Sequence, residues 1–445
     1  MKSMESRSRL IREGGWAALA QVMSALGALA GVRALTEFAP PETYGSITLL
    51  LGVFTVAQGT LINPIMQASL RLYPEYAESR LALFRKTLVG MLRRRILIVL
   101  ATLALSWPII NHFKVGSLGV VVLMALLFTL EGFRNLETVL LNAARRQRAY
   151  SLITIFEAWG RPLLAIAAIL LWESSVESVF AGYAAATGLA LILIYLLGQS
   201  EGRMSNGKTK TSVCPALREA VARYSLPLAP LAIMDSVSGV GDRYILAALL
   251  GVDKAGIYAA TYGLLSRPFL MMAGTFDLSL RPVYYQSVAA GNHGHARKIL
   301  KRWLILIILI SGVGFALSFP LKELIVEIFL AREYWVGANL IPWIAGGYSL
   351  LVISNVFEKV CYAYGFTGRI LVVRSIAAVS GLVIAYYGIV LWGMPGAAIA
   401  VPIYFGLQMV MNMIVAGASS SEQGAQSLQT RNDGEDNRHL MTVSK

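Results

Sequence analysis

Apolar residues gather along this chain in runs of about 18 to 25 positions, and short basic segments separate the runs. A helix rises about 1.5 Å per residue, so about 20 such residues cross the ~30 Å hydrocarbon core of a bilayer. Membrane strands need only about 10 alternating residues, so these runs predict helices. Twelve spans are expected: 15–35, 45–68, 95–113, 117–141, 150–171, 177–197, 224–250, 255–279, 303–319, 338–362, 370–391 and 394–416. Proline and glycine interrupt several of them, which membrane helices tolerate. Residues 322–330 are too few to span and read as a re-entrant or interfacial turn. The polar, aperiodic stretch after Ala416 reads as a tail without fixed structure.

The expected fold is therefore an all-α polytopic membrane protein of about 12 transmembrane helices. It would be built as two parallel six-helix bundles around a central cavity. Residues 1–200 form the expected N-terminal bundle, 201–223 a cytoplasmic linker, 224–416 the C-terminal bundle and 417–445 a disordered cytoplasmic tail.

Composition supports this class. Of 445 residues, 56% are hydrophobic and 14% charged, with a mean hydropathy of +0.62. Soluble domains carry roughly a quarter charged residues. Lys2, Arg7, Arg9 and Arg12 followed by an apolar run imitate a signal peptide. That run is longer than a signal core, so it reads as an uncleaved first span. Two cysteines, Cys214 and Cys361, make neither a disulfide framework nor a CxxC pair. His293 and His295 form an HxH in a basic loop, which reads as solvated rather than metal-binding.

The net charge of +14 marks topology rather than nucleic-acid binding. Lysine and arginine concentrate in the N-terminus, in alternate loops (69–94, 142–149, 198–223 and 280–302) and at Arg369 and Arg374. The opposite side holds only Lys114, Lys254, Lys322 and Arg332. By the positive-inside rule both termini are cytoplasmic and the number of spans is even.

The halves repeat one another. Arg33, Gly45 and the triplet Ser69-Leu70-Arg71 correspond to Arg243, Gly256 and Ser279-Leu280-Arg281. Separations along the first trio are 12 and 26 residues, and along the second 13 and 25. Two similar bundles in one orientation imply a pseudo-two-fold axis along the membrane normal, with a site between them.

Charges inside spans are the candidate chemistry. Arg134, Arg161 and Arg267 lie near mid-depth, where each costs about 2.5–3.5 kcal/mol unless it meets water, a partner or an anion. A guanidinium fork suits phosphate oxygens, so these three, with Arg33 and Arg243 nearer the outer surface, are candidate ligands for a phosphate-bearing anion. Glu131 and Glu157 sit one turn from Arg134 and Arg161 and offer the plainer alternative of local ion pairs. Arg267 has no carboxylate at either helical spacing, so it is the stronger ligand candidate. Arg33 and Arg243 also have the alternative of snorkelling to the interface. Lys359, beside Glu358, reads as a snorkelling lysine, and Asp277 with Arg281 as an interfacial pair. Asp235, Glu131 and Glu157 are candidates for coupling to H+ or Na+. No phosphate-binding loop, metal cluster or nucleophile elbow occurs, so neither a cofactor nor an enzymatic activity is expected.

The segments "GVRALTEFAPPETYGSITLLLGVF" (31–54), "VGDRYILAALLGVDKAGIYAATYGLL" (240–265) and "RYSLPLAPLA" (223–232) carry a family likeness. With them the chain resembles the bacterial polysaccharide-export family. Its members are lipid-linked oligosaccharide flippases of the multidrug/oligosaccharidyl-lipid/polysaccharide exporter superfamily. The resemblance implies an undecaprenyl-diphosphate-linked oligosaccharide as substrate, moved to the periplasmic leaflet by alternating access. It implies a role in O-antigen, capsule or exopolysaccharide synthesis, beside a polysaccharide polymerase and chain-length proteins. The alternatives are an ion-coupled multidrug antiporter, whose site should be acidic and aromatic, and a glycan polymerase or ligase, which needs a large outer loop. A non-transporting scaffold has no use for mid-depth charges.

Overall fold

The computed structural model describes residues 2–76, 80–112, 117–199 and 215–443, and the side chains of 14–76, 80–105, 117–197 and 215–418. The described chain is helical throughout, in fourteen α-helices. They are α1 (Lys2–Phe38), α2 (Pro41–Ala57), α3 (Asn63–Tyr76), α4 (Leu81–His112), α5 (Leu118–Ala143), α6 (Gln147–Leu171) and α7 (Val176–Gln199). After them come α8 (Pro215–Ser225), α9 (Leu228–Leu250), α10 (Val252–Ala289), α11 (His293–Phe329), α12 (Ile341–Ala363), α13 (Thr367–Trp392) and α14 (Met394–Val443).

Among the described residues nine helical stretches are long and apolar enough to cross a membrane. They coincide with nine of the twelve expected spans. The other three expected spans fall on α4, α9 and α10, helices of 32, 23 and 38 residues. Charges lower the apolar content of α9, which carries Asp235, Asp242 and Arg243, and of α10, which carries Arg267 and Asp277, while the side chains of α4 are described only as far as residue 105. Residues 322–330 are not a re-entrant turn. All but Leu330 lie in the last turns of the 37-residue α11, which runs through Pro320, and a 3-10 segment at Arg332–Leu340 follows.

Helix ends follow local chemistry. Pro41, at the first turn of α2, gives up a backbone N–H that would have had no helical partner. Ser117 caps α5 by accepting the Val120 N–H at 3.1 Å. Between α2 and α3 the helix widens into a π turn at Gln58–Ile62. Pro64 follows it, and a proline ring clashes with the carbonyl four residues back, so the wider turn gives that carbonyl room. The Leu61 carbonyl in this turn accepts a hydrogen bond from Arg95 Nη1 on α4 at 3.0 Å.

By packing, the chain divides into two compact units: Met1–Leu264 with Glu323–Ala338, and Leu265–Lys322 with Asn339–Lys445. The division falls within α10. Unit 1 therefore holds α1 to α9, the first turns of α10, the end of α11 and most of the 3-10 segment after it. Its core joins Phe84, Leu88, Leu92, Leu127, Phe128 and Phe180. Of the expected linker, 201–214 lie outside the described residues, while α8 buries Leu217 and Val221 fully in this core. In unit 2, α14 packs along α12 and α13, and a second core gathers Tyr284, Ile299, Val360, Cys361 and Ile370. The expected tail falls on residues whose side chains, from 419 on, lie outside the described ones.

Candidate functional site

Unit 1 brings four of the expected residues together. On α5, Arg134 Nη2 stands 3.0 Å from Glu131 Oε1 of its own helix, and its Nε stands 2.9 Å from Glu157 Oε1 on α6. On α6, Arg161 Nη2 reaches Glu131 Oε1 at 3.1 Å and Glu157 Oε1 at 3.4 Å. Each arginine thus meets both carboxylates, and the quartet is electrically balanced. Side-chain exposures of 13, 13, 11 and 29% for Arg134, Glu131, Glu157 and Arg161 leave Arg161 the most open of the four. The Nε–H groups of Arg134 and Arg161 are buried, and neither makes a well-formed hydrogen bond among the described residues.

Pro162, beside Arg161, has a packing role. α1 carries Gly27 and Gly31, four apart, a small-residue pattern that lets membrane helices approach closely. A Cβ at Gly31 would stand 3.0 Å from Pro162 Cβ, and one at Gly27 3.0 Å from the Ala158 carbonyl oxygen. That carbonyl is the one Pro162 deprives of its helical donor. Trp159 Nε1 donates to the Met23 carbonyl at 3.0 Å and fixes the same seam.

Arg267 lies in unit 2, on the exposed surface of α10, and has no carboxylate partner among the described residues. Arg33 pairs with Glu37 one turn along α1. Arg243 stacks over the Tyr262 ring, 4.9 Å from its centroid. Asp235 is exposed on α9. Lys359 does not simply snorkel: its Nζ stands 3.7 Å from Asp277 Oδ1, while Asp277 Oδ2 pairs with Arg281 at 3.0 Å as expected. Glu358, 1% exposed, instead takes Arg374 of α13 at 2.8 Å.

Sequence reasoning missed Asp242. It is buried, and its Oδ2 accepts the Tyr258 hydroxyl at 2.6 Å while Oδ1 accepts the Arg243 backbone N–H at 2.8 Å. Asp242, Arg243, Tyr258 and Tyr262 form one polar core where α9 meets the first turns of α10. The signal was present in the adjacent Asp242-Arg243 and in tyrosines spaced at i, i+4.

The repeat also closes on itself within unit 1. A Cβ at Gly45 would stand 2.1 Å from the Val252 carbonyl oxygen, and one at Gly256 2.0 Å from the Pro41 carbonyl oxygen. Each glycine of the matched pair meets the carbonyl four residues before the other. Such a reciprocal contact is what a local two-fold between the two segments would produce. The turns after α5 and α12 repeat as well. Arg145 N–H donates to Asn142 O and Arg146 N–H to Leu141 O, as Gly365 does to Tyr362 O and Phe366 to Cys361 O.

Among the described residues no cluster of three or more His, Cys, Asp or Glu side chains is placed to hold a metal ion.

Residues 218–387 match the family model MatE. A multidrug resistance MATE family transporter of the MOP superfamily, in an inward-facing conformation, superposes with a TM-score of 0.72. It is 11% identical, over 91% of this chain and 96% of that one. The fold is that of the MATE transporters. The lipid II flippase MurJ, in an inward closed conformation, shares it at a TM-score of 0.69 and 13% identity, over 92% of this chain and 87% of that one. A point mutant of the Vibrio cholerae MATE transporter VcmN follows at 0.60 and 13%, over 96% and 99%. No curated protein matches the chain in sequence. The chain is thus a multi-span membrane protein with a MATE-type fold.

Proposed function

We propose that this protein is a flippase for an isoprenoid-diphosphate-linked oligosaccharide, acting by alternating access in the bacterial inner membrane with both termini in the cytoplasm. The carrying observation is Arg267, a guanidinium within a membrane helix with no carboxylate partner among the described residues. Such a cation is costly in lipid and is offset by an anionic ligand such as a diphosphate. The Arg134–Glu131–Arg161–Glu157 quartet is balanced, so its role in this reading is to hold α5 and α6 in register and present the exposed edge of Arg161. The likeness to MurJ supports a lipid-linked substrate. Asp235 and Asp242 are the carboxylates of α9 that would couple transport to H+ or Na+.

A second reading has its own support. The MatE match and the multidrug transporter's TM-score of 0.72 favour ion-coupled drug export equally well. Glycan accessibility separates the two. In cells lacking the protein, undecaprenyl-linked sugar units should accumulate on the cytoplasmic side, and cationic-drug tolerance should be unchanged. Normal appearance of those units in the outer leaflet sinks the flippase reading, and lost drug tolerance installs the antiporter.

A further inference from the structure

Within unit 2, a cavity of about 180 Å³ opens between α10, α11 and α12. Three polar groups line it, two of them buried without a hydrogen-bond partner among the described residues and the third half-buried. The Trp303 indole N–H is one, on a side chain only 1% exposed. Asp277 Oδ1 is the second, with Lys359 Nζ beyond hydrogen-bond reach at 3.7 Å. The Asn355 side-chain amide is the third. Buried polar groups are normally paired, and each exception calls for an occupant or a cost of about 1–3 kcal/mol. Leu270 and Val352 supply apolar walls, and a Cβ at Gly274 would meet open space.

The chemistry of an occupant follows from these groups. Trp303 asks for an acceptor, Asp277 for a donor, and Asn355 for both. A hydroxyl group is donor and acceptor at once. The cavity lining holds one charge of each sign, Asp277 and Lys359, and Arg281 meets the other oxygen of Asp277, so no cationic ligand is called for. One water bonds two to four groups, and a cavity this size has room for several. A ring carrying hydroxyls on its edge and C–H groups on its faces fits both the polar trio and the apolar walls.

We infer that this cavity binds one sugar residue, with Trp303, Asp277 and Asn355 hydrogen-bonding its hydroxyls. The chemistry stands on the cavity alone, and only the identification of that sugar with the exported glycan rests on the flippase reading. The test uses the full chain in lipid nanodiscs with ¹⁵N-labelled tryptophan. The Trp303 indole cross-peak is assigned by its loss in Trp303→Phe. Probes are glucose, galactose, rhamnose and N-acetylglucosamine, with glycerol as the polyol control. At least one sugar should move that peak saturably, and glycerol should not. Asp277→Asn should weaken the response about tenfold, the loss of a hydrogen bond to a charged group. Gly274→Val, which fills the cavity and leaves the polar trio in place, should abolish it.

A peak unmoved by all four sugars, or moved equally by glycerol, overturns the site and leaves water as its occupant. The export reading fails separately. A saturable sugar response in a chain that moves no lipid-linked glycan keeps the site and removes the flippase. Export with an unchanged glycan range in Gly274→Val removes the site's role in export.

Discussion

Arg161 and Arg267 each precede a proline in the body of a helix, and their surroundings are opposite. Arg161 sits in a balanced quartet, with Glu131 at 3.1 Å and Glu157 at 3.4 Å, and its proline packs into a glycine seam on α1. Arg267 is exposed on α10 with no carboxylate partner among the described residues. One dipeptide therefore serves two ends. In the first case the arginine's charge is cancelled by protein, and what remains is a strut between α5 and α6. In the second no carboxylate among the described residues meets the charge, and the proposed function assigns it to a ligand. A membrane arginine is diagnostic of ligand only when its counter-charge cannot be found in the protein.

The sharpest way to break this comparison is to remove each arginine in turn. Arg267→Ala should abolish lipid-linked glycan transport while expression and folding stay intact. Truncating one partner of a desolvated charge pair costs about 2–5 kcal/mol, at least about thirtyfold in affinity for the diphosphate. Arg267→Lys keeps the charge but loses the bidentate fork, and should retain part of the activity. Full transport by Arg267→Ala would show that its exposure means only contact with lipid headgroups.

The next largest effect tests the symmetry of the halves. Gly45→Ala and Gly256→Ala should each lower the thermal unfolding midpoint in detergent, because each Cβ would overlap a carbonyl oxygen at 2.1 or 2.0 Å. Overpacking of this kind costs about 1–3 kcal/mol. The two losses should match if the pair lies on a local two-fold. Unequal losses would show that the reciprocal contact is not a symmetric one.

These sites differ in how far the sequence disclosed them. The helices, and the nine stretches apolar enough to span, were legible because run length and apolarity are one-dimensional properties. Glu131–Arg134 and Glu157–Arg161 were legible because helical spacing places them on one face. That each arginine would also reach the other helix's carboxylate was not, because the register between α5 and α6 is a tertiary property that local spacing does not set. The Gly45/Gly256 correspondence was visible as a repeat, but the touching of the two glycines was not. Asp242 was not legible as a site residue because the group that holds its carboxylate, the Tyr258 hydroxyl, lies sixteen residues on and on the next helix. Proline inside several spans was legible, yet the Arg95 side chain that donates to the Leu61 carbonyl beside Pro64 comes from α4 and was not.

A smaller effect probes the strut itself. Glu157→Gln leaves two guanidinium groups with one carboxylate. Breaking a fully buried pair costs about 3–5 kcal/mol, and the 29% exposure of Arg161 brings the expected loss down to about 1–3 kcal/mol. A cycle with Arg134→Gln should recover a coupling of about 0.5–3 kcal/mol, read as unfolding midpoints. Additive losses would mean that the quartet is four neighbours rather than one network.

The smallest effect separates the two halves at their matched turns. Arg145 holds a φ of 57° where Gly365, its counterpart after α12, holds 78°. Both residues donate in the same pattern to the end of the preceding helix, so the same left-handed turn is made with a side chain in one half and without one in the other. A Cβ in that conformation costs about 1–2 kcal/mol, and glycine carries none of it. Arg145→Gly should therefore raise the unfolding midpoint by an amount within that range, less the entropy glycine adds to the unfolded chain. Gly365→Arg should lower it by a similar amount. If Arg145→Gly instead destabilises, the exposed guanidinium makes up the strain through its own contacts, and the first half keeps an arginine there for packing rather than for charge at the basic end of the bundle.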